Sequence, residues 1–262
     1  MSEPRVRLRP GVRVSDRTDT TLQVGLHPGR SLVLPDAPDV RAALTLLGHG
    51  VEPRRLDPGQ RDLLRRLTRV GLVDDPDHDV ARSRATGRAG VEVAAPDGVR
   101  TSLLRMLAEV GVREGSRDAS STVVVLVTIG AEPRRDTVDE LVRADRPHLL
   151  LTSVAGRLRV GPFVVPGLTA CLRCLDDHAT DRDPRHPLVV EQHLEPDPLD
   201  RPDPADLQLA LAWAARDVTS LIGGDRPVTW SATVDVEPGG PVTQRWRRHP
   251  RCGCAWGDAL AG

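Results

Sequence analysis

Four cysteines form two closely spaced pairs, Cys171-Leu-Arg-Cys174 and Cys252-Gly-Cys254, and the chain has no other cysteine. Two such pairs can supply four thiolates to one tetrahedral ion, the arrangement of structural zinc sites. Because protein sulfurs would fill all four positions, water and substrate would have no place on the ion. The spacing therefore predicts a structural Zn²⁺ bound by Cys171, Cys174, Cys252 and Cys254, which ties the C-terminal segment to the middle of the fold.

Disulfides and free buried thiols are the alternatives for these cysteines. A disulfide is disfavoured because residues 1–7 contain no apolar run of the kind that opens a secretory signal. The C-x-C chelate is one residue tighter than C-x-x-C, and Gly253 gives the backbone the freedom that it requires. Trp246 and Trp256 flank the second pair, and we expect them to pack over the metal.

Composition excludes several classes of function. Within 262 residues no apolar run approaches the length of a membrane span, and a formal net charge of −1 disfavours general binding to nucleic acid or anionic lipid. A cytoplasmic protein is expected. All 36 basic side chains are arginine, so mechanisms that need a lysine, such as Schiff-base chemistry or a Walker A loop, are excluded.

Residues 1–80 read as a small winged helix-turn-helix α+β module. Short β-prone runs are followed by two amphipathic segments and an apolar return, and residues 74–90 form a polar linker. The β-prone runs cover 12–14, 21–25 and 31–34, the amphipathic segments 40–47 and 57–70, and the return 72–73.

Residues 90–262 alternate strands with helices, which predicts an α/β domain on a mostly parallel sheet. The run at 122–129 is continuously apolar, as buried parallel strands require. Strands are predicted at 91–94, 122–129, 148–154, 229–236 and 242–246, and helices at 101–110, 137–144 and 205–222.

A family resemblance is carried by the segment that leads into the first cysteine pair, Val160-Gly-Pro-Phe-Val-Val-Pro-Gly-Leu-Thr-Ala-Cys171. With Asp181-Arg-Asp-Pro-Arg-His-Pro187 and the ending His249-Pro-Arg-Cys252, it resembles the zinc-bearing part of ThiF-like proteins, the bacterial relatives of ubiquitin-activating enzymes. The members it resembles most are cyclodehydratase-associated proteins of thiazole/oxazole-modified peptide biosynthesis. The resemblance covers residues 90–256 and implies a Rossmann-like sheet with a C-terminal zinc-stapled β region. The N-terminal module is similar in shape to PqqD-like peptide-recognition elements.

The nucleotide site that the resemblance implies is degenerate in this chain. A Gly-rich turn should follow the first strand, but residues 94–101 retain only Gly98, and Pro96 and Asp97 oppose phosphate binding. The unit that should contain a strand ending in a ribose-binding acid is expected to be shortened or deleted, since few residues separate Val112 from the strand at Thr122. The phosphate-contacting lysine is absent, and Glu132 stands near the place of the metal-binding Asp. We therefore predict no catalytic or nucleotide-binding residue, and ATP/Mg²⁺ is not expected as a cofactor.

Three functions follow. The first is a non-catalytic zinc protein that binds a leader peptide or protein substrate, through an edge strand within residues 21–34, and presents it to a YcaO-type cyclodehydratase in bacteriocin-like biosynthesis. The second is an active adenylyltransferase with a divergent nucleotide site. The third is a winged-helix DNA-binding regulator that uses the basic face formed by Arg61, Arg65, Arg66 and Arg69. A homodimer is expected from the resemblance.

The histidines are weaker candidates for chemistry. His148 is interpreted as a residue at the end of a strand. His178 lies four residues after Cys174 and could be a spare zinc ligand, but the four thiolates already complete the site. His186 and His193 are expected in a solvated loop, and Asp176-Asp177 is expected to be a solvated acidic pair.

Overall fold

The chain divides into two compact units, Met1–Arg82 and Ser83–Gly262. Their structure is a computed structural model that describes residues 5–74, 85, 89–115 and 122–255. Most of the linker predicted at 74–90 and the side chain of Trp256 lie outside these residues. In the part of the chain that is described, no helix combines the length and the apolar composition of a membrane span.

The first unit is a small α+β module. Its core joins leucines of one antiparallel sheet to those of two helices, chiefly Leu22, Leu34, Leu47 and Leu67. Its elements are β1 (Arg7–Leu8), β2 (Val14–Thr18), β3 (Thr21–Val24), β4 (Leu32–Pro35), α1 (Pro38–His49), α2 (Pro58–Arg69) and β5 (Val73–Asp74). Helix α2 begins with a capping box, in which Asp57 and Gln60 each accept the other's backbone N–H.

The three-stranded sheet has the order β2-β3-β4, and β1 pairs separately with β5. Strand β3 is therefore hydrogen-bonded on both sides and cannot accept a further strand. The range 21–34, predicted to contain a peptide-capturing edge, offers such an edge only in β4. The other open edge is β2, which the sequence analysis did not single out, because hairpin order is not visible in a run of short strands.

The second unit is an α/β domain built on one sheet of seven strands. Its strands are β6 (Gly90–Ala94), β7 (Arg113–Glu114), β8 (Thr122–Ile129), β9 (His148–Val154), β10 (Arg157–Val164), β11 (Ala232–Val236) and β12 (Val242–Arg245). Its helices are α3 (Asp97–Glu109), α4 (Arg135–Arg143), α5 (Leu172–Thr180), α6 (His186–Glu191) and α7 (Pro204–Ile222).

The sheet order is β12-β11-β10-β9-β8-β6-β7. Strands β7, β6, β8 and β9 run parallel, and β10, β11 and β12 continue the sheet in antiparallel fashion. Helices α3 and α7 cover one face through a core that includes Leu103 and Leu211, and α4 and α5 cover the other around Val138 and Leu172. Strand β8 is buried between them, which explains its continuous apolar run. The predicted α/β fold is confirmed.

A bend in β10 brings the chain to the first cysteine pair. The pairing of β10 with β9 shifts register between Val160 and Phe163, and Gly161 has φ of +100°. A Cβ atom at Gly161 would collide with the carbonyl of Ala232 and the side chain of Thr229, so only glycine fits there. Beyond this bend the chain turns at 165–170 and enters α5 at the cysteines.

The strand predicted to be shortened exists as β7, two residues long and parallel to β6. It ends at Glu114, an acidic residue that the sequence analysis did not identify. The carboxylate of Glu114 is paired with Arg100 of α3. Of the two alternatives, a shortened or a deleted unit, the structure shows the shortened one, and its strand ends in an acidic residue.

Candidate metal centre and nucleotide-site region

The four cysteines come together from two distant parts of the chain. Their sulfur atoms all lie within 4.8 Å of one another, an arrangement that could bind a metal ion. The Sγ–Sγ distances are 3.8 Å for Cys171–Cys174, 3.5 Å for Cys171–Cys252 and 3.3 Å for Cys174–Cys254. Four sulfurs about 2.3 Å from one tetrahedral ion are about 3.8 Å apart, close to these separations. All four are free thiols, so the disulfide alternative is not what the geometry shows.

Local structure presents each pair to the same point. Cys171 is the N-cap of α5, with extended backbone angles, and Cys174 lies in the first turn of that helix. Cys252 and Cys254 flank the start of a 3₁₀ turn, Gly253–Ala255. The Cys252 N–H donates to the carbonyl of His249 at 3.0 Å, which closes the loop that leads into this turn.

Electrostatics favours a cation at this point. Hydrogen bonding from Cys171 lowers the pKa of Cys174, and the same contact raises the pKa of Cys171. One thiolate is therefore easily formed, and each further ionisation is opposed by the negative charge beside it. A divalent cation removes that opposition, because it allows all four sulfurs to carry charge.

A second clasp holds the C-terminal loop against α5. His249 is 5% exposed, and its Nε2 lies 2.9 Å from an Asp181 carboxylate oxygen. Its Nδ1 accepts the backbone N–H of Arg251 at 3.2 Å, so both ring nitrogens have protein partners. His178, Asp181 and His249 also lie close enough to bind a metal, but the hydrogen bonds account for their arrangement. The sequence gives no signal for this clasp, because residues 181 and 249 are distant in the chain.

Apolar side chains surround the cysteines. Val164, Ala170 and Leu175 are buried beside them, and Trp246 packs against the same cluster. The indole N–H of Trp246 donates to Thr233 at 3.1 Å, which fixes the ring. The packing expected of Trp246 is therefore present, and the corresponding prediction for Trp256 falls outside the described residues.

The remaining histidines have structural partners. His178 Nε2 contacts the carbonyl of Arg247 at 2.9 Å, not the cysteines. His148 begins β9 and is fully buried, and burial lowers its pKa to about 4. His186 begins α6 with Nε2 3.6 Å from Asp176, and His193 contacts the carbonyl of Val189.

The carboxyl end of β8 is covered by residues 193–200. The Glu132 N–H donates to the carbonyl of His193 at 2.7 Å, and the Asp197 N–H donates to that of Gly130 at 2.9 Å. Gly130 has φ of +76°, and a Cβ atom there would lie 2.6 Å from the Asp197 carbonyl oxygen. This glycine therefore permits the covering strap to approach closely. In open α/β sheets, ligands bind at the carboxyl ends of the strands, and here the strap occupies that place above β8.

Beside β9 and β10 lies a cavity of about 250 Å³ that contains three arginines. Arg135 is bidentate to Asp176, at 2.7 and 3.0 Å, and bonds Glu132 at 2.9 Å. Arg159 is bidentate to Asp235, and Arg157 pairs with Glu237. Carboxylates of the protein thus neutralise all three. Asp176 was expected to be solvated, and Glu132 was the substitute considered for a metal-binding acid; the structure engages both with Arg135.

Comparisons with known proteins support the fold. The sequence matches no protein-family model and no curated protein, whereas solved structures are similar over nearly the whole chain. The heterocyclase TruD matches with a TM-score of 0.70 and 16% identity, over 96% of this chain and 43% of TruD. A heterocyclase in complex with substrate and cofactor matches with a TM-score of 0.68 and 16% identity, over 96% of this chain and 39% of its own.

E. coli MccB matches with a TM-score of 0.65 and 14% identity, and there the alignment covers 96% of this chain and 99% of MccB. The chain therefore spans about two fifths of the heterocyclases and nearly all of MccB. At these identities the likeness establishes the shared fold, which includes the N-terminal module as well as the α/β domain.

Proposed function

We propose that this chain is a ThiF-like zinc protein without catalytic activity, which captures the leader segment of a precursor peptide and presents it to an ATP-dependent YcaO-type cyclodehydratase. In this proposal residues 1–80 form the recognition module, residues 90–262 form the degenerate ThiF-like domain, and the protein acts as a homodimer. The fold shared with heterocyclases and MccB supports a role in peptide modification.

The strap at 193–200 is the observation that carries the absence of catalysis. It lies against the residue that follows β8, where a nucleotide and its metal would need open space. Nearby, Pro96 caps α3 without a side-chain hydrogen bond and Asp97 adds negative charge to the first turn. A triphosphate would meet an acidic helix start instead of a cradle of N–H donors.

The metal that we assign is zinc, bound by Cys171, Cys174, Cys252 and Cys254. Four thiolates are the ligand set of a closed tetrahedral zinc site, and the sulfur separations suit it. With four protein ligands the ion has a structural role, because no position is left for a reacting water. It would join α5 to the turn Gly253–Ala255.

Peptide capture is assigned to the free edge of β4. Leu34 is buried in the module while Val33 is 42% exposed, the alternation of a strand with one face on the core. An extended peptide can add to such an edge through main-chain hydrogen bonds, with specificity from alternate side chains.

Calorimetry separates this proposal from the adenylyltransferase alternative. The purified chain is titrated with ATP and Mg²⁺, and separately with a precursor peptide whose gene lies beside the chain's own. We expect heat from the peptide and none from the nucleotide. Heat from ATP, together with ATP–pyrophosphate exchange in the presence of peptide, would establish an active adenylyltransferase instead.

A partner assay tests the presentation step. The cyclodehydratase is assayed on the precursor peptide with and without this chain, and we expect heterocycle formation to depend on its presence. A variant with proline at Val33 removes one N–H from β4 while leaving the α/β domain unchanged. It should lower the reaction at limiting peptide, and full activity of this variant would contradict capture at β4.

A further inference from the structure

The N-terminal module has a groove of about 730 Å³ on the outer face of its sheet. On β3, Leu22 and Val24 are buried on the core side, so Gln23 faces outward. Ser15 of β2 is its register partner, and side chains alternate along a strand. The pairing of β2 with β3 shifts register between Asp16 and Thr18, and Arg17 is placed on the outer face by its hydrogen bond to Gln23. Arg13, which directly precedes β2, lines the same groove.

Four arginines give this groove a concentrated positive charge: Arg9, Arg13, Arg17 and Arg30. All four are exposed, and within residues 5–74 none of them is paired with a carboxylate. Arg17 donates to the amide oxygen of Gln23 at 3.0 Å, which leaves its charge unneutralised. The acidic residue in the lining, Asp16, is bound by Arg41 at 2.7 Å. The groove therefore presents several positive charges that would attract an anionic ligand.

The shape of the groove depends on a close turn after β3. Gly25 has φ of +81°, and a Cβ atom there would lie 2.6 Å from the Arg30 carbonyl oxygen and 2.9 Å from Leu72. The glycine allows the loop to fold back so that Arg30 reaches the lining. Leu26 on the same loop is 80% exposed and offers an apolar contact beside the arginines.

An extended peptide fits this surface better than a nucleic acid does. Among the residues that the structure describes, strand β2 pairs with β3 alone, so its other edge presents N–H and C=O groups in the alternation that a peptide backbone matches. A phosphate backbone has no donor with which to use the carbonyls, and the exposed leucine would add nothing to a phosphate contact.

We propose that this groove binds an acidic peptide segment in extended conformation. Arg13 and Arg17 line the same groove four positions apart in the chain, so they suit two carboxylates on one extended peptide. An apolar side chain of the peptide would contact Leu26. This inference goes beyond capture at β4, because β2 and β4 are opposite edges of the sheet and either could bind without the other.

The test uses the full chain and a fluorescein-labelled short peptide with glutamate at every second position and leucine, threonine or serine between. A second peptide has glutamine in place of each glutamate. By fluorescence polarisation we expect the glutamate peptide to bind at least about tenfold more tightly, with affinity that falls as salt is raised. The double variant Arg13→Glu, Arg17→Glu should weaken it by at least about tenfold, and the milder Arg13→Gln, Arg17→Gln pair should weaken it in the same direction.

Arg105→Glu is the matched control, because Arg105 is an exposed arginine on α3 in the other unit, and we expect less than about a twofold effect. Circular dichroism of each variant checks that the module is folded. Equal binding of the two peptides, no binding of either, or an Arg105→Glu effect equal to that of the double variant would overturn the proposal. Tighter binding of a random DNA duplex than of the glutamate peptide would overturn it in favour of nucleic acid. The glutamate peptide should also bind with unchanged affinity to the variant that has proline in place of Val33. This result would show that the groove binds independently of leader capture at β4.

Discussion

Arginines behave in opposite ways in the two units of this protein. In the cavity of the α/β domain, Arg135, Arg157 and Arg159 each have a carboxylate partner. In the groove of the N-terminal module, Arg13 and Arg30 have no such partner among the described residues of that module. In the cavity, the positive charges are therefore neutralised within the protein. In the groove, they are available to bind another molecule.

Burial explains why Arg135 needs its partners, whereas Arg157 and Arg159 are paired at the rim of the cavity, with side chains 70% and 46% exposed. The Arg135 side chain is 17% exposed, and a charge in that position needs a partner because water is largely excluded. Burial opposes the charged form, yet the hydrogen bonds to Asp176 outweigh it and raise the pKa of Arg135. The groove arginines are exposed and remain hydrated, so they need no partner to be stable. An unpaired charge is therefore tolerated only at the surface, where water hydrates it and where it can contact another molecule.

The largest effect is expected from the metal centre, the other place where the α/β domain gathers charge. Cys174→Ser should abolish metal binding and lower the free energy of unfolding by at least about 5 kcal/mol, since the closed site joins two distant segments. Metal content is measured by elemental analysis and unfolding by tryptophan fluorescence, because all four tryptophans lie after residue 82. His178→Gln is the control and should retain the metal. Full metal content in the Cys174→Ser protein would show that Cys174 is not required for metal binding, and it would contradict the four-cysteine site.

The next effect is a pH dependence that comes from His148. Its pKa is about 4 in the fold and about 6.5 when unfolded, so the unfolded chain binds more protons between these values. The stability that neutral His148 contributes is therefore fully present above pH 6.5. The free energy of unfolding decreases by about 3 kcal/mol as the pH falls to 4. His148→Gln should flatten this slope in urea titrations at several pH values. An identical slope in both proteins would show that other groups control the acid sensitivity of the domain.

Removal of a paired arginine should have a smaller but clear effect. Arg135→Ala leaves Asp176 and Glu132 partly buried without their cation, and we expect a loss of about 2 kcal/mol. Arg134 is the matched control, because it is 58% exposed and its replacement by alanine should cost less than about 0.5 kcal/mol. Equal losses for the two variants would mean that the cavity pairs are no tighter than surface contacts.

The smallest effect is expected in the groove. Arg17→Ala removes an exposed charge and one hydrogen bond to Gln23, so stability should change by less than about 0.5 kcal/mol. Hydrogen exchange of β2 and β3 amides measures this, since the module has no tryptophan. A decrease in the free energy of unfolding above about 1.5 kcal/mol would indicate that Arg17 has a structural role. The groove arginines would then resemble the paired arginines of the cavity.

Local patterns predicted much of the fold but little of the charge pairing. The buried strand at 122–129 and the helical segments near 57–70 were identifiable because periodicity is a property of neighbouring residues. The order of the hairpin strands was not, and so β4 could not be distinguished from β3 as an edge. Glu114 was missed because a two-residue strand has no periodic signal.

The sequence by itself determined that two cysteine pairs exist, that no lysine is available, and that residues 94–101 cannot form a Gly-rich cradle. These follow from residue identity and short spacing. Only the tertiary structure decided that the two pairs meet, that the strap at 193–200 covers β8, and that Arg135 meets Asp176 across 41 positions. The reason is physical: contacts between distant segments depend on how whole elements pack, and a charge is recognised as paired or free only when its neighbours in space are known.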